Sequence, residues 1–148
     1  MRHDIRAEID IEAPPAEVWR HLLDLAAYPE WNPFIPAASG VPEAGGRLSL
    51  RLRPPGGRAM PIRPTVTEAT APSVFEWLGH VGVRGLFDGR HRFELIPIPT
   101  GTRLLQSESF SGVLVRPLRR WLDGSTRAGF EAMNEALRQR VTESYTAA

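Results

Sequence analysis

The stretch APPAEVWRHLLDLAAYPEWNPFI, Ala13 to Ile35, sets a helix, a tight bend and a group of aromatic side chains directly behind an alternating strand. Pro14 and Pro15 suit a first helical turn, where their missing N–H groups would have no intrahelical partner. Glu17 suits the positive end of the helix dipole. Val18, Leu22 and Leu25, with Trp19 beside them, form an apolar stripe at helical spacing, and Pro29, Asn32 and Pro33 then turn the chain. The segment contains no obvious catalytic group, so it points to a fold and not to a reaction.

Upstream, Ile5, Ala7, Ile9 and Ile11 alternate with Arg6, Glu8, Asp10 and Glu12, the period of a strand with one wet and one buried face. Downstream, Leu48, Leu50 and Leu52 alternate with Ser49 and arginines, which predicts a second half-buried strand over Arg47–Arg53. Pro54 to Pro64 has the glycine and proline density of a long mobile turn, and its prolines confine any following strand to an edge or an irregular start. Four more strands are expected over Thr65–Ala69, Val74–Gly79, Gly89–Ile96 and Thr102–Phe110, joined by short turns as an antiparallel meander. The last third changes period. Leu118, Leu122, Gly129, Met133 and Leu137, with Phe130 and Val141, predict a long helix over about Val115 to Glu143, on the order of 40 Å at 1.5 Å per residue. Asp123 and Gly124 are its weak point, where a bend or a restart near Ser125 is expected.

The 148 residues fit one domain, 1–148, with no repeat or low-complexity tract. There is no cysteine, which removes disulfides, thiolate nucleophiles and cysteine-based metal sites and suits a reducing, cytoplasmic setting. Eighteen arginines, no lysine and seventeen acidic residues give a formal charge of +1, without the footprint of a nucleic-acid binder. No signal-peptide pattern and no apolar run near the ~18 residues that span a bilayer is present, so a soluble, unprocessed protein is expected.

PPAEVW at the helix start, the bend YPEWNPF, the strands FDGRHRFEL and GTRLLQSESFSG, and FEAMNEAL in the terminal helix together resemble the SRPBCC superfamily. The resemblance covers essentially the whole chain and is nearest to the bacterial polyketide cyclase/dehydrase-like branch. It implies an α+β helix-grip fold: a curved antiparallel sheet of six or seven strands wrapped around a long C-terminal helix, with short helices after strand one. It also implies an apolar cavity between sheet and helix. Carriers, sensors, cyclases and chaperone activators share this architecture, so the resemblance alone does not name a function.

A turn over Pro97–Gly101 that sets Ile96 opposite Arg103 places Leu95 opposite Leu104, Phe93 opposite Gln106, and His91 opposite Glu108. His91, Phe93 and Leu95 share the inner face, while Arg90, Arg92 and Glu94 share the outer one. His91 and Glu108 are therefore the candidate acid/base couple, since burial favours a neutral carboxyl while a carboxylate neighbour favours imidazolium. A hydrogen-bonded polar pair that holds two strands in register is the competing reading. Trp31, Phe34, Trp77, Phe87, Phe93, Gln106, Phe110, Phe130 and Met133 are the candidate ligand-binding residues, with Trp77, Phe93, Phe130 and Met133 placed where sheet and helix meet. His3, His21 and His80 share no metal-ligand spacing, so no metal and no cofactor is expected. GVPEAGG lacks the phosphate-loop lysine, and SerGluSer lies on a strand without a nucleophile elbow.

The expected function is binding of a small hydrophobic molecule, a lipid, polyketide or aromatic, as carrier or sensor, by a monomer or homodimer. A polyketide cyclase/dehydrase-like enzyme using His91 and Glu108 is the alternative.

Overall fold

Alternation becomes structure first at β1 (Arg2–Ile11), whose Ile5 and Ile11 are buried while Arg6, Glu8 and Asp10 face solvent. The computed structural model describes residues 2–147. After β1 the chain enters α1 (Pro15–Leu22), a 3₁₀ turn (Leu25–Ala27) and α2 (Tyr28–Trp31). Val18, Leu22 and Leu25 are buried, as the helical spacing predicts, Trp19 is partly buried beside them, and Tyr28 joins the core. The bend that follows is held by one side chain. Asn32 Oδ1 accepts hydrogen bonds from the Phe34 and Ile35 amides at 3.0 and 2.8 Å, which sends both apolar side chains inward.

Two antiparallel sheets come next. β2 (Ala37–Gly40), β3 (Leu48–Leu52) and β4 (Met60–Ile62) form one in the order β2-β3-β4. β5 (Thr65–Thr70), β6 (Val74–His80), β7 (Asp88–Ile98) and β8 (Gly101–Ser111) join β1 in the other, ordered β1-β8-β7-β6-β5. A bridge between Arg47 and Thr65, with Leu48 N–H on the Pro64 carbonyl at 2.9 Å and Val66 N–H on the Gly46 carbonyl at 2.8 Å, links the two into one curved surface.

The eight strands include two short ones beyond the alternating runs. β4 lies inside the stretch expected to be loop, and β2 had no periodic signal. Both are edge strands. Pro61 cannot donate to a ladder, and an edge is where such a residue is tolerated.

The terminal helix comprises α3 (Val115–Trp121), a π-helical turn (Leu122–Thr126) and α4 (Arg127–Ala147). The irregularity falls on Asp123 and Gly124, as their helix propensity predicts, and it is a widened turn within a continuous helical path. Phe130, Met133, Leu137 and Val141 of α4 are fully buried. Gly129 is required by packing, since a Cβ there would lie 2.5 Å from the Phe34 ring, which stacks edge-on to Phe130 at 5.6 Å. Leu118 departs from the expected stripe and is exposed, because α3 packs mainly on β1 and the π-helical turn and meets no further layer.

The outer face of the large sheet is an ion lattice. Glu76 accepts from Thr67, Arg90 and Arg92 at 2.8, 2.8 and 2.9 Å, and Arg92 also reaches Glu68 and Glu94. Charge therefore covers the outer face of the sheet and leaves no apolar docking patch on that face. Among the described residues, no helix is long and apolar enough to cross a membrane.

Candidate functional site

The β7–β8 hairpin has the register that its turn predicts: Ile96 faces Arg103, Leu95 faces Leu104, Phe93 faces Gln106 and His91 faces Glu108. On the other side β6 sets Trp77 opposite His91. His91 is wholly buried among aromatic rings. Trp77 stacks on it at 4.7 Å and 16°, Phe93 lies at 4.7 Å, and Phe130 meets it edge-on from α4 at 4.9 Å.

Both ring nitrogens of His91 are engaged. Nδ1 lies 2.7 Å from Glu108 Oε1, and Nε2 lies 2.9 Å from Gln106 Oε1. The Gln106 amide nitrogen donates to Asn134 Oδ1 at 2.6 Å and approaches the Phe130 carbonyl at 3.4 Å. A main-chain carbonyl can only accept, so this contact orients the Gln106 amide with its oxygen toward His91. Nε2 of His91 must then carry a proton and donate it to Gln106. The remaining contact, Nδ1 to Oε1, holds one proton between two basic atoms. The pair is either imidazolium with carboxylate or imidazole with carboxylic acid. It is neutral overall in both forms, which suits a pair so little exposed to solvent.

The second Glu108 oxygen, Oε2, sits on the other side of the site, beside Gly89. A Cβ at Gly89 would collide with it, so a glycine in the strand interior makes room for the carboxylate. Glu108 thereby reaches the wall of a cavity of about 70 Å³. Phe34, Phe87, Phe110 and Leu122 form apolar walls, Leu52 and Ile62 come from the small sheet, and Met60, Val81 and Trp121 stand at its rim. Glu108 is the one ionisable side chain in the lining.

This placement divides the candidate residues. Phe34, Phe87, Phe110 and Glu108 line the cavity. Trp77, Phe93, Gln106, Phe130 and Met133 do not: the first four pack on or hydrogen-bond to His91, and Met133 is fully buried on α4. Trp31 is also outside it, edge-on to Tyr28 at 5.1 Å, so the bend closes the cavity with Phe34 alone. His91 is reached from the cavity only through Glu108. Leu52, Met60, Ile62, Trp121, Leu122 and Thr126 had no distinguishing sequence signal as lining residues. Gly89 did have one, as an isolated glycine in a strand. Among the described residues, no three His, Asp or Glu side chains converge as metal ligands would.

A curved sheet gripping a terminal helix, with a cavity between them, defines an SRPBCC-type helix-grip protein. Residues 2–143 match the family described as polyketide cyclase/dehydrase and lipid transport, and the chain belongs to that family. None of the curated proteins matches it significantly. Solved structures of the same fold include protein MLL2253 from Mesorhizobium loti, 23% identical, covering 96% of this chain and 98% of that one with a TM-score of 0.72. The Zhui aromatase/cyclase from Streptomyces sp. R1128 is 13% identical, covering 97% and 95% with a TM-score of 0.79. Ara h 8.0201 is 13% identical, covering 97% and 99% with a TM-score of 0.69. At these identities the likeness is one of fold.

Proposed function

We propose that the chain binds a small hydrophobic molecule bearing one hydroxyl, enol or amine group, as a carrier or sensor. The observation that carries this reading is the composition of the cavity wall, apolar except for the Thr126 hydroxyl and the Glu108 carboxylate, whose Oε2 accepts no hydrogen bond among the described residues. The apolar walls favour a ligand skeleton by removing it from water, and Glu108 Oε2 fixes its orientation through one hydrogen bond. The resting cavity of about 70 Å³ is far below the several hundred Å³, roughly 300 or more, of a site that encloses a drug-sized ligand. Occupancy therefore requires the rim to open. The segments that move are the β3–β4 connection, the turn between β6 and β7, and α3 hinged on the π-helical turn.

Titration with an apolar fluorescent probe tests this. Leu52→Trp, which extends a partly exposed cavity residue into the space, is expected to abolish saturable binding, whereas Trp31→Phe, outside the cavity, leaves it intact. Equal binding by both variants defeats the reading. Native mass spectrometry of the protein isolated from its own host would then identify the ligand.

A second reading is favoured by one observation, the 2.7 Å contact of His91 Nδ1 with Oε1 of Glu108, a carboxyl group that also lines the cavity. In the imidazolium–carboxylate form, Glu108 Oε2 can take a proton from the α-carbon of a bound polyketone, return it to the alkoxide formed as the new C–C bond closes, and then take a second α-proton and pass it to the hydroxide that leaves as water. Incubation with a poly-β-ketone substrate tests it. Product formation by the parent chain, lost in Glu108→Gln, supports a cyclase, and identical product distributions with and without the protein refute it.

A further inference from the structure

The formal charge of +1 conceals a strong segregation. Residues 53–63, 79–87 and 111–122 hold seven of the eighteen arginines and none of the seventeen acidic residues, which leaves eleven arginines against seventeen carboxylates in the rest of the chain. These are the three segments that supply the rim of the cavity, through Pro54 and Met60, Val81, and Trp121. They also meet one another: Val113 N–H donates to the Gly85 carbonyl at 3.2 Å and Leu114 N–H to the Leu86 carbonyl at 3.0 Å, while Gly79 packs so closely on Ile62 that a Cβ there would lie 2.6 Å from its Cδ1. None of the seven arginines forms an ion pair among the described residues, although the arginines of the outer sheet are bound into the ion lattice.

The same segments present bare apolar side chains. Val83 is 70% exposed and Val113 72%, both at turns, and Trp121 is 46% exposed on α3, flanked by Arg119 and Arg120. Leu114 and Leu118 add to this surface. Exposed apolar residues scattered singly need no explanation, but here all five belong to two of the segments that carry unpaired arginines.

We infer that the mouth of the cavity docks on the surface of an anionic lipid bilayer. Arginines complement the negative headgroup layer, and Val83, Val113 and Trp121 enter the interface beneath it, where an indole ring is favoured. A bilayer also fits the shape. The apolar groups stand on turns and on the open side of a short helix, and a fluid interface receives protruding side chains without a matching surface. The charge separation directs the approach, since the remaining excess of carboxylates is repelled by the same membrane. Docked this way, the rim opens toward lipid, and an apolar ligand passes between bilayer and cavity without crossing water. That use rests on the ligand-binding reading, whereas the docking surface stands on its own residues.

Co-sedimentation of the full chain with vesicles of phosphatidylglycerol and of phosphatidylcholine tests the inference. Strong binding to the first, little to the second, and weakening with added salt are expected. The triple change Arg116→Gln, Arg119→Gln and Arg120→Gln alters only exposed residues, and its expected effect is a loss of roughly a hundredfold in vesicle affinity. Val83→Ser with Val113→Ser is expected to weaken binding at every salt concentration, as loss of an apolar contact does. Leu52→Trp, which fills the cavity, keeps vesicle binding, so failure of ligand binding and failure of docking are read separately. No binding to phosphatidylglycerol at low salt, equal binding to both vesicles, or an unchanged triple variant overturns the proposal. So does exclusive binding of the same surface to an acidic protein.

Discussion

Glu108 divides its two oxygens between two environments: Oε1 lies 2.7 Å from the buried Nδ1 of His91, and Oε2 reaches the cavity wall beside Gly89. The side chain is therefore the only polar link between the cavity and a histidine that the cavity does not touch.

Gly89→Ala is expected to displace that carboxylate, because the added methyl occupies the position of Oε2. Forced shifts of this kind in packed sites cost about 1–3 kcal/mol. Denaturant unfolding should show a loss in that range together with weaker probe binding. Full stability and unchanged affinity would mean that the carboxylate has room the structure does not show.

Glu108→Ala and Glu108→Gln separate hydrogen bonding from proton exchange. Alanine leaves His91 Nδ1 without a partner in a dry site, a loss of about 1–3 kcal/mol. Glutamine offers an amide donor to Nδ1 while Nε2 still donates to Gln106, so its stability should lie within about 1 kcal/mol of the parent. Chemical denaturation of the two variants side by side provides the check, and equal losses would contradict the proton assignment.

Glu76 makes the acid limb of stability measurable. Burial on its own would raise its carboxyl pKa, but hydrogen bonds from Arg90, Thr67 and Arg92 outweigh it and hold the group below the usual glutamate value. A carboxyl with a depressed folded-state pKa contributes stability above its unfolded value, about 4.3, and loses that contribution as pH falls through the lower folded value. Melting temperatures recorded from neutral pH to below pH ~4 should fall more steeply in the parent than in Glu76→Gln. Parallel profiles would show that the lattice is energetically idle.

Gly129→Ala sets two effects against each other. Alanine in a helix interior gains about 1 kcal/mol over glycine, but the new Cβ would stand 2.5 Å from the Phe34 ring. Because Phe34 is itself held edge-on to Phe130, it has little freedom to yield. Steric displacement should win, for a net destabilisation of about 1–2 kcal/mol by thermal or urea unfolding. A stabilised variant would mean that the bend yields more easily than its Asn32 hydrogen bonds suggest.

Local rules made much of this protein legible in its sequence. The alternation from Ile5 to Ile11 and from Leu48 to Leu52, the proline-marked start of α1 and the helical stripe from Phe130 to Val141 each report a neighbour two, three or four positions away. So does the meeting of His91 and Glu108, because a short turn fixes the register of a whole hairpin. Tertiary structure alone decided where empty space remains. Trp77, Phe93 and Phe130 read as pocket residues from their faces, yet they close around His91, and the space lies toward Leu52, Ile62 and Leu122. Cavities are what packing between distant segments leaves over, and no periodicity records that remainder. The same holds for the basic rim, since residues 53–63, 79–87 and 111–122 carry ordinary local charge in the sequence and become one surface only when the fold brings them to the same opening.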